Sequence, residues 1–286
     1  MVDRFFRQGA GLALLMKNDV MENEAMEKDF TFYPSVAADP KRLTAAQIES
    51  YNRDGYLNGI RIFDPDRATA NRAYFDRLLA HALTQGKDSY SISGSHVVYG
   101  GVYDLVTDPA LLDLAEDLCG PDFAAIGAHY FCKLPRDPKV VSWHQDFTYW
   151  PAYSAKIITV WLAIDDVDRD NACIQVIPGS HRHGLLPYRE SDPQEKNVLN
   201  QTVDRVERYG TPALLELQAG EVSVHSCLML HGSEANRSDR RRCGIGIRYA
   251  AVDVPAAAAL RAKGVLCRGA DPQGRWDNPP RPAFDP

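Results

Sequence analysis

Hydrophobic residues recur at helical spacing in three segments of the first 120 residues. Thr44-Ala45-Ala46-Gln47 has the spacing of a capping box, which predicts a helix that starts there and ends near Gly55. A second helix is predicted from Pro65 to Leu83, where apolar side chains form a stripe that faces a core. Asp108 is placed to cap a third helix, from Pro109 to Leu118, because proline suits the first helical turn.

Strand patterns dominate after these helices. Residues 91–103 are polar, aromatic and rich in glycine, which is typical of a loop that could fold over a site. Beyond them come β-branched and apolar runs of strand length, and the run that starts at Glu221 ends on His231 before a turn at Gly232. The predicted fold is mainly β with flanking helices. The predicted strands are residues 123–134, 156–164, 173–177 and 221–231.

The predicted organisation is an N-terminal extension, residues 1–40, followed by one domain, residues 41–286. That domain divides into a helical part (41–120), a strand core (121–255) and a tail (256–286) with a short helix and a proline-rich end. The segment Met1–Phe30 starts like a signal peptide but lacks a small-residue cleavage site, so we interpret it as an amphipathic or flexible extension. No run approaches the roughly 18 apolar residues of a membrane span, so a soluble chain is expected.

Composition narrows the class of partner. The chain has 286 residues, 45% of them hydrophobic, and a formal net charge of −6. Such a charge argues against a nucleic acid as the main partner. The six cysteines are dispersed without a C-x-x-C pair, which favours reduced thiols in a cytoplasmic protein over a disulfide framework or a cysteine-rich zinc site.

The segment from Trp143 to Pro151 carries the most specific chemistry. Residues i and i+2 of an extended strand point to one face, so His144 and Asp146 could reach a common metal ion. The alternative is that Asp146 only orients a nearby histidine through a hydrogen bond. Two histidines and one carboxylate with open coordination positions suit non-haem Fe(II) in oxygenases. The strand-like run that ends on His231 offers a candidate for the second histidine. Arg242 follows on another strand, and its planar guanidinium offers a two-pronged grip on a carboxylate.

His144-Gln145-Asp146, Asn171 to His181, and His231-Gly232-Ser233 followed by Arg242 together resemble the phytanoyl-CoA dioxygenase family of Fe(II)/2-oxoglutarate oxygenases. The resemblance covers roughly residues 40 to 255. It implies a double-stranded β-helix fold, a kind of jelly roll, which would bring the distant Asp146 and His231 together.

The resemblance also implies roles for the motif residues. His144, Asp146 and His231 would be the iron ligands, Arg242 would hold the distal carboxylate of 2-oxoglutarate, and Ser233 would assist it. The implied reaction is hydroxylation of an unactivated C–H bond of a small molecule with O2 as oxidant and release of succinate and CO2. Related halogenases carry Ala or Gly where this chain has Asp146, which argues against halogenation.

Further residues are predicted near the site, and for several of them a ligand-binding role and a purely structural role both stay open. Lys133 and Thr148 are candidates for polar contacts to 2-oxoglutarate. By strand alternation Arg248 shares a face with Arg242, so it is either an anchor for an anionic substrate or a surface-paired arginine. We expect His225 to be a hydrogen-bonded core histidine. Candidates for the substrate wall, with aromatic packing as the alternative for the first two, are Tyr149, Trp150 and His129.

Three other functions stay open at this level. The chain could be a non-catalytic metal- or ligand-binding β-helix protein. It could be a zinc or manganese isomerase of the cupin type, although that class would not require Arg242. It could also be a 2-oxoglutarate oxygenase that desaturates, cyclises or epoxidises. The expected partner is a small molecule, and neither a nucleic acid nor a membrane is expected.

Overall fold

The computed structural model describes residues 27–286. The predicted N-terminal extension lies mostly outside the described residues. The helices are α1 (Ala45–Asp54), α2 (Pro65–Thr84), α3 (Gly100–Val106), α4 (Pro109–Cys119) and α5 (Ala258–Arg261). The strands are β1 (Tyr56–Arg61), β2 (Phe123–Lys133), β3 (Val141–His144), β4 (Ile157–Ala163), β5 (Ile174–Val176), β6 (Arg189–Glu190), β7 (Gln201–Thr202), β8 (Ala213–Leu215), β9 (Glu221–Ser226), β10 (His231–Ser233), β11 (Arg242–Ala251) and β12 (Val265–Arg268).

Two antiparallel sheets form the core. The large sheet has the strand order β1-β9-β4-β11-β2-β12, and the small sheet has the order β3-β10-β5-β8. Apolar side chains of both sheets share one cluster, in which Trp161 of the large sheet packs with Val176 and Leu215 of the small sheet. The fold is the predicted double-stranded β-helix. Strands β6 and β7 form a separate two-stranded hairpin.

The helices begin and end where the sequence predicts. The Thr44 side chain accepts from the backbone of Gln47, both halves of the capping box are present, and Gly55 closes α1 in the left-handed conformation with φ 81°. Asp108 caps α4, which ends at Gly120. Helices α2 and α4 pack on the outer face of the large sheet, because Phe75 and Leu111 share a cluster with Tyr130 and Ile245. The inner face of that sheet is therefore left to the small sheet and the site.

Two local predictions are wrong. Residues 91–103 are not all loop, since α3 begins at Gly100. Two glycines give this helix a low intrinsic propensity, and distant residues supply its N-terminal partners: the Gly100 N–H donates to the carbonyl oxygen of Phe284 and the Gly101 N–H to the carboxylate of Asp285. An anion at the start of a helix is stabilising.

The run from Glu221 to His231 is not one strand. Strand β9 stops at Ser226 in the large sheet, a turn closes through the Met229 N–H and the Ser226 carbonyl, and His231 begins β10 in the small sheet. Gly232 is a paired strand residue and not a turn residue. The hydrophobic pattern does not indicate where the chain passes from the large sheet to the small sheet, because residues 227–230 are as buried as the strands on either side of them.

The large sheet also draws strands from outside the predicted core range. Its edge strands are β1, which pairs with β9, and β12, which pairs with β2. All six cysteines are unpaired thiols, and Cys132, Cys173, Cys227 and Cys243 are buried. Among the described residues, no helix is long and apolar enough to cross a membrane.

Candidate active site

His144, Asp146 and His231 converge at one point between the sheets. One ligand atom from each lies within 4.8 Å of the others, and all three side chains are buried. His144 is the last residue of β3 and pairs directly with His231, the first residue of β10. The Nε2 atoms of His144 and His231 lie 3.5 and 3.9 Å from Oδ1 of Asp146. Within residues 27–286 this is the one group of this kind.

The segment that carries His144 and Asp146 is only partly a strand. Strand β3 ends at His144, Gln145 keeps an extended backbone (φ −111°, ψ 128°), and Asp146 opens a short 3-10 helix. The side chains on either side of Gln145 still reach the same point. Gln145 itself is fully engaged elsewhere: its amide donates to the carbonyl oxygens of Gly184 and Leu228 and accepts from the Leu186 N–H, each at 2.8 Å.

Backbone contacts set both imidazoles for metal binding. Nδ1 of His144 lies 2.7 Å from the Ser142 carbonyl oxygen, and Nδ1 of His231 lies 2.9 Å from that of Met229. A carbonyl oxygen can only accept, so Nδ1 carries a proton in both rings, and in the neutral ring Nε2 keeps its lone pair. Backbone contacts of this type are usual for metal-binding histidines. The donor set therefore fits a divalent metal ion bound by two histidines and one carboxylate.

Charges around Asp146 favour its ionised form. Burial alone would raise the pKa of the Asp146 carboxyl, but the Arg248 guanidinium and the imidazoles of His144 and His225 hold it well below its usual value. Burial, with the nearby His144 and His225, lowers the pKa of His231 well below its usual value. An ionised Asp146 beside a neutral His231 is the state that metal coordination requires.

A row of three polar residues on the large sheet supports Asp146. Thr159 of β4 pairs with His225 of β9 on one side and with Arg248 of β11 on the other. The Thr159 hydroxyl donates to Oδ2 of Asp146 at 2.6 Å. His225 Nε2 lies 3.8 Å from Oδ2, and Arg248 Nη2 lies 3.7 Å from Oδ1. The Thr159 hydroxyl therefore orients the carboxylate, and the other two side chains of the row lie close to it.

His225 lies in the core as expected, but the expected hydrogen bonds of its ring are absent among the described residues, and the sequence does not predict the role of Thr159. His225 is 1% exposed and neither ring nitrogen has a hydrogen-bond partner among the described residues. Thr159 lies in a β-branched run that reads as an ordinary buried strand. Only the pairing register of three strands brings these side chains together, and no local pattern encodes that register.

Arg242 lies in the wall of the same cavity. It is 1% exposed, its Nε donates to the Ala172 carbonyl oxygen, and its Nη2 donates to the Ser233 hydroxyl, both at 2.9 Å. Ala172 adopts a left-handed conformation (φ 70°), a strained geometry for a residue with a Cβ, and this turns its carbonyl toward the guanidinium. The predicted pair of Arg242 and Ser233 is thus in direct contact.

Gly244 makes this arrangement possible. A Cβ at Gly244 would lie 2.1 Å from the indole ring of Trp161, so only glycine lets that ring cross the strand. The ring then lies 5.6 Å below the Arg242 guanidinium. A cation over an aromatic face is attracted by the ring's electron density. Trp161 thereby supports the guanidinium from one side.

The cavity itself is narrow, about 30 Å³, and both sheets contribute to it. A larger cavity of about 600 Å³ lies against residues 32–39, 116–122 and 251–253 and contains none of the three converging residues. The lining of the narrow cavity is Phe131, Val141, His144, Asp146, Thr159, Trp161, Ile174, His225, His231, Gly232, Ser233, Arg242 and Arg248.

Two predicted co-substrate contacts are placed elsewhere. The Lys133 ammonium group donates to the carbonyl oxygens of Lys139, Ser233 and Glu234, so its three protons are used to tie backbone segments together. The Thr148 hydroxyl bonds Gln145 and Gln201. Neither side chain lines the cavity: the Lys133 ammonium group points to these carbonyl oxygens, and Thr148 faces the β6–β7 hairpin.

The three candidates for the substrate wall surround the cavity without lining it. The Tyr149 ring lies 5.7 Å from the His144 ring, and its hydroxyl accepts from the Gln201 N–H at 3.1 Å. The Trp150 ring lies 5.7 Å from the Arg248 guanidinium carbon. His129 stacks on Phe131 at 4.2 Å and donates from Nε2 to the Tyr90 carbonyl oxygen. Burial lowers the pKa of His129 to about 4, so its ring is neutral.

Replacing Thr159 with valine tests the supporting row. The substitution keeps the shape of the side chain but removes the hydroxyl that donates to Asp146. Loss of such an outer contact is expected to weaken metal affinity by about 10- to 100-fold. Anaerobic titration calorimetry with Mn(II) measures it, with Thr107→Val as a control whose hydroxyl bonds a helix carbonyl. Equal affinities in the two variants would show that Thr159 does not orient the carboxylate.

Comparison with known proteins places these features in a family. A family model described as phytanoyl-CoA dioxygenase (PhyH) matches residues 51–244. A probable phytanoyl-CoA dioxygenase of Caenorhabditis elegans is 30% identical over 156 residues, which are 51% of this chain and 49% of the relative. A probable alpha-ketoglutarate-dependent hypophosphite dioxygenase of Stutzerimonas stutzeri is 26% identical over 168 residues, 57% of each chain.

Among solved structures, a non-heme monooxygenase, ThoJ in its apo form, superposes with a TM-score of 0.70 at 25% identity. The superposition covers 83% of this chain and 88% of that one. The chain spans about half the length of the first curated relatives that it matches. Because the family match covers more than half of the sequence and contains all three converging residues and Arg242, the chain belongs to the phytanoyl-CoA dioxygenase family.

Proposed function

We propose that this chain is an Fe(II)- and 2-oxoglutarate-dependent dioxygenase that hydroxylates an unactivated C–H bond of a small molecule and releases succinate and CO2. One observation carries the proposal. His144, Asp146 and His231 converge within 4.8 Å, and the contacting pair Arg242 and Ser233 lines the same cavity. Family membership supports it, because the relatives matched are named as dioxygenases.

The donor set favours iron over a closed structural metal site. His144, Asp146 and His231 supply three protein ligands, which leaves coordination positions for a co-substrate and O2. Bound Fe(II) would supply activation of O2 coupled to oxidative decarboxylation of 2-oxoglutarate. The backbone carbonyls of Ser142 and Met229 keep the imidazoles in the ligating tautomer, and Thr159 holds Asp146 in place.

The surroundings of Arg242 suit the distal carboxylate of a diacid. Its Nε and Nη2 are held by Ala172 and Ser233, which leaves the remaining guanidinium protons for a ligand. A buried guanidinium and a hydroxyl side by side offer charge-assisted hydrogen bonds to one carboxylate. The Stutzerimonas relative, named as alpha-ketoglutarate-dependent, supports 2-oxoglutarate as that diacid.

Apolar side chains would keep water from the reacting atoms. Phe131, Val141, Trp161 and Ile174 line the cavity between the polar groups. A dry cavity strengthens the electrostatic contacts within it and suppresses side reactions. The protein's part is therefore binding, orientation and exclusion of water, while the hard chemistry belongs to the metal. We infer a small-molecule partner and a cytoplasmic location.

Turnover of 2-oxoglutarate tests the proposal. Purified protein with Fe(II) and ascorbate in air is expected to form succinate from 2-oxoglutarate, and a compound from a small-molecule library that stimulates this identifies the substrate class. Mass spectrometry of that compound is expected to show the gain of one oxygen atom, whereas loss of two hydrogen atoms would indicate desaturation. Iron binding without any consumption of 2-oxoglutarate across the library would contradict the enzymatic role.

A further inference from the structure

We propose that Arg248 anchors a negatively charged group of the primary substrate, so that the molecule to be oxidised is a small carboxylate, phosphonate or similar anion. This inference rests on the proposed function and names the substrate class of the same site. Four features of the described residues carry it: the charge of the cavity, the free donors of Arg248, the aromatic rings beside it and its distance from Arg242.

The charge of the cavity wall leaves one positive charge without a partner. The lining contains one carboxylate, Asp146, and two guanidinium groups, Arg242 and Arg248, and arginine remains charged in proteins. A divalent metal ion adds two positive charges, and 2-oxoglutarate supplies two negative ones. The fully loaded site would then keep a net charge of plus one. Because an unpaired buried charge is costly, a ligand with one negative charge is favoured.

The Arg248 side chain has donors to spare. Its only hydrogen bond among the described residues runs from Nη1 to the Gly246 carbonyl oxygen at 3.1 Å, and its buried Nε has no partner. The one carboxylate oxygen within 4 Å in residues 27–286 is Oδ1 of Asp146, at 3.7 Å, which is too long for a hydrogen bond. A metal ion bound to Asp146 would also take up the charge of that carboxylate. Arg248 is then left to serve a ligand.

Aromatic rings hold the guanidinium in one position. Its central carbon lies 5.7 Å from the ring centres of both Phe131 and Trp150. Aromatic rings attract a guanidinium over their faces and leave its N–H edge free for acceptors in its plane. The opposing residue on β2 is Gly127, which has no side chain to compete for the space. The side chain is 12% exposed, so an incoming ligand can reach it.

Arg248 and Arg242 lie at opposite ends of the site. They share one face of β11, and six residues of strand span about 20 Å. Arg242 contacts Ser233, whereas Arg248 approaches Asp146. An anion held by Arg248 would therefore lie beside the candidate metal and apart from the distal carboxylate of the co-substrate. The atoms to be oxidised would be those close to the anionic group.

Matched ligands test the inference on the wild-type protein. The panel pairs carboxylates and phosphonates with amides and esters of the same carbon skeleton, for example butyrate with butyramide and butylphosphonate with its diethyl ester. Each is titrated anaerobically into Co(II)-loaded protein with saturating 2-oxoglutarate, and the d–d absorption of Co(II) is followed. Acids are expected to bind at least about tenfold more tightly than their neutral partners, as a charge-assisted contact implies. Absence of any charge preference across the panel overturns the proposal.

Variants at residue 248 separate three roles. Arg248→Met is expected to lose the acid preference and Arg248→Lys to retain part of it, while the affinity for 2-oxoglutarate changes less than about threefold. Because Arg248 also lies 3.7 Å from Asp146, the acid and its neutral partner are compared within each Co(II)-loaded variant. If 2-oxoglutarate affinity falls instead, Arg248 holds a carboxylate of the co-substrate, and the proposal is wrong. If Co(II) affinity falls alone, Arg248 only positions Asp146, which equally overturns it. Wild-type protein that binds Co(II) but not 2-oxoglutarate would instead count against the proposed function.

Discussion

His231→Ala is expected to lower the affinity for Fe(II) or Mn(II) by more than about 100-fold and to remove succinate formation. The expected loss exceeds the roughly 10- to 100-fold cost of removing an outer contact to a metal ligand, because a ligand itself is deleted. His231 also pairs with His144 and lies 3.9 Å from Asp146, and its loss leaves two of the three converging residues. The other described histidine near Asp146 is His225, whose Nε2 lies 3.8 Å from Oδ2. Anaerobic calorimetry measures the affinity, and a coupled assay measures succinate.

His183→Ala is the matched control for that experiment. His183 is an exposed histidine in the segment after β5, away from the cavity. Its removal is expected to leave metal affinity and turnover within about twofold, since surface substitutions have small effects. Wild-type metal affinity in His231→Ala, with normal folding by circular dichroism, would place the metal elsewhere.

Arg242→Met is expected to raise the KM for 2-oxoglutarate by about 100-fold or more while the affinity for metal changes little. Truncating one partner of a buried charge pair costs about 2–5 kcal/mol, which corresponds to tens- to thousands-fold in affinity. The substitution also leaves the Ala172 carbonyl without its donor, at a cost of about 1–3 kcal/mol in stability. The KM for 2-oxoglutarate and the affinity for metal are therefore measured on protein whose folding has been verified.

A second co-substrate makes the Arg242 experiment specific. The compound 2-oxobutyrate retains the metal-chelating end of 2-oxoglutarate but lacks the distal carboxylate. The wild-type protein is expected to prefer the diacid strongly, and Arg242→Met is expected to lose that preference. Arg240→Met serves as control, because Arg240 is half exposed and pairs with Asp168 at the surface. A diacid preference that survives in Arg242→Met would exclude Arg242 as the anchor.

Much of the fold could be predicted because its signals are local. The capping box at Thr44, the proline after Asp108 and the left-handed glycine at position 55 each act within one turn, so sequence spacing is enough to place them. The wrong predictions depend on distant partners. Helix α3 depends on hydrogen bonds from its N-terminus to Phe284 and Asp285. The chain passes from the large sheet to the small sheet between β9 and β10, and only the tertiary fold defines where this change of sheet occurs.

The residues of the site also fall into those that short sequence motifs predict and those that only the tertiary structure brings together. His144, Asp146, His231 and Arg242 stand in recognisable short motifs, and the structure brings them into one cavity. The supporting residues Thr159 and His225 carry no motif, since their proximity comes from strand register alone. Lys133 shows the converse case: its position in the sequence suggests a ligand contact, yet three backbone carbonyls occupy its ammonium group.

The two sheets divide the ligand-binding groups between them. His144 and His231 belong to the small sheet, with Asp146 directly after β3, whereas Arg242 and Arg248 belong to the large sheet. A molecule that chelates the metal and also binds these arginines would link the two sheets of the β-helix. Its binding free energy would add to the stability of the folded state, by about 2.7 kcal/mol at a concentration of 100 times its Kd. An increase in resistance to heat or to proteolysis would then indicate that the molecule binds groups of both sheets at once, even before any turnover is observed.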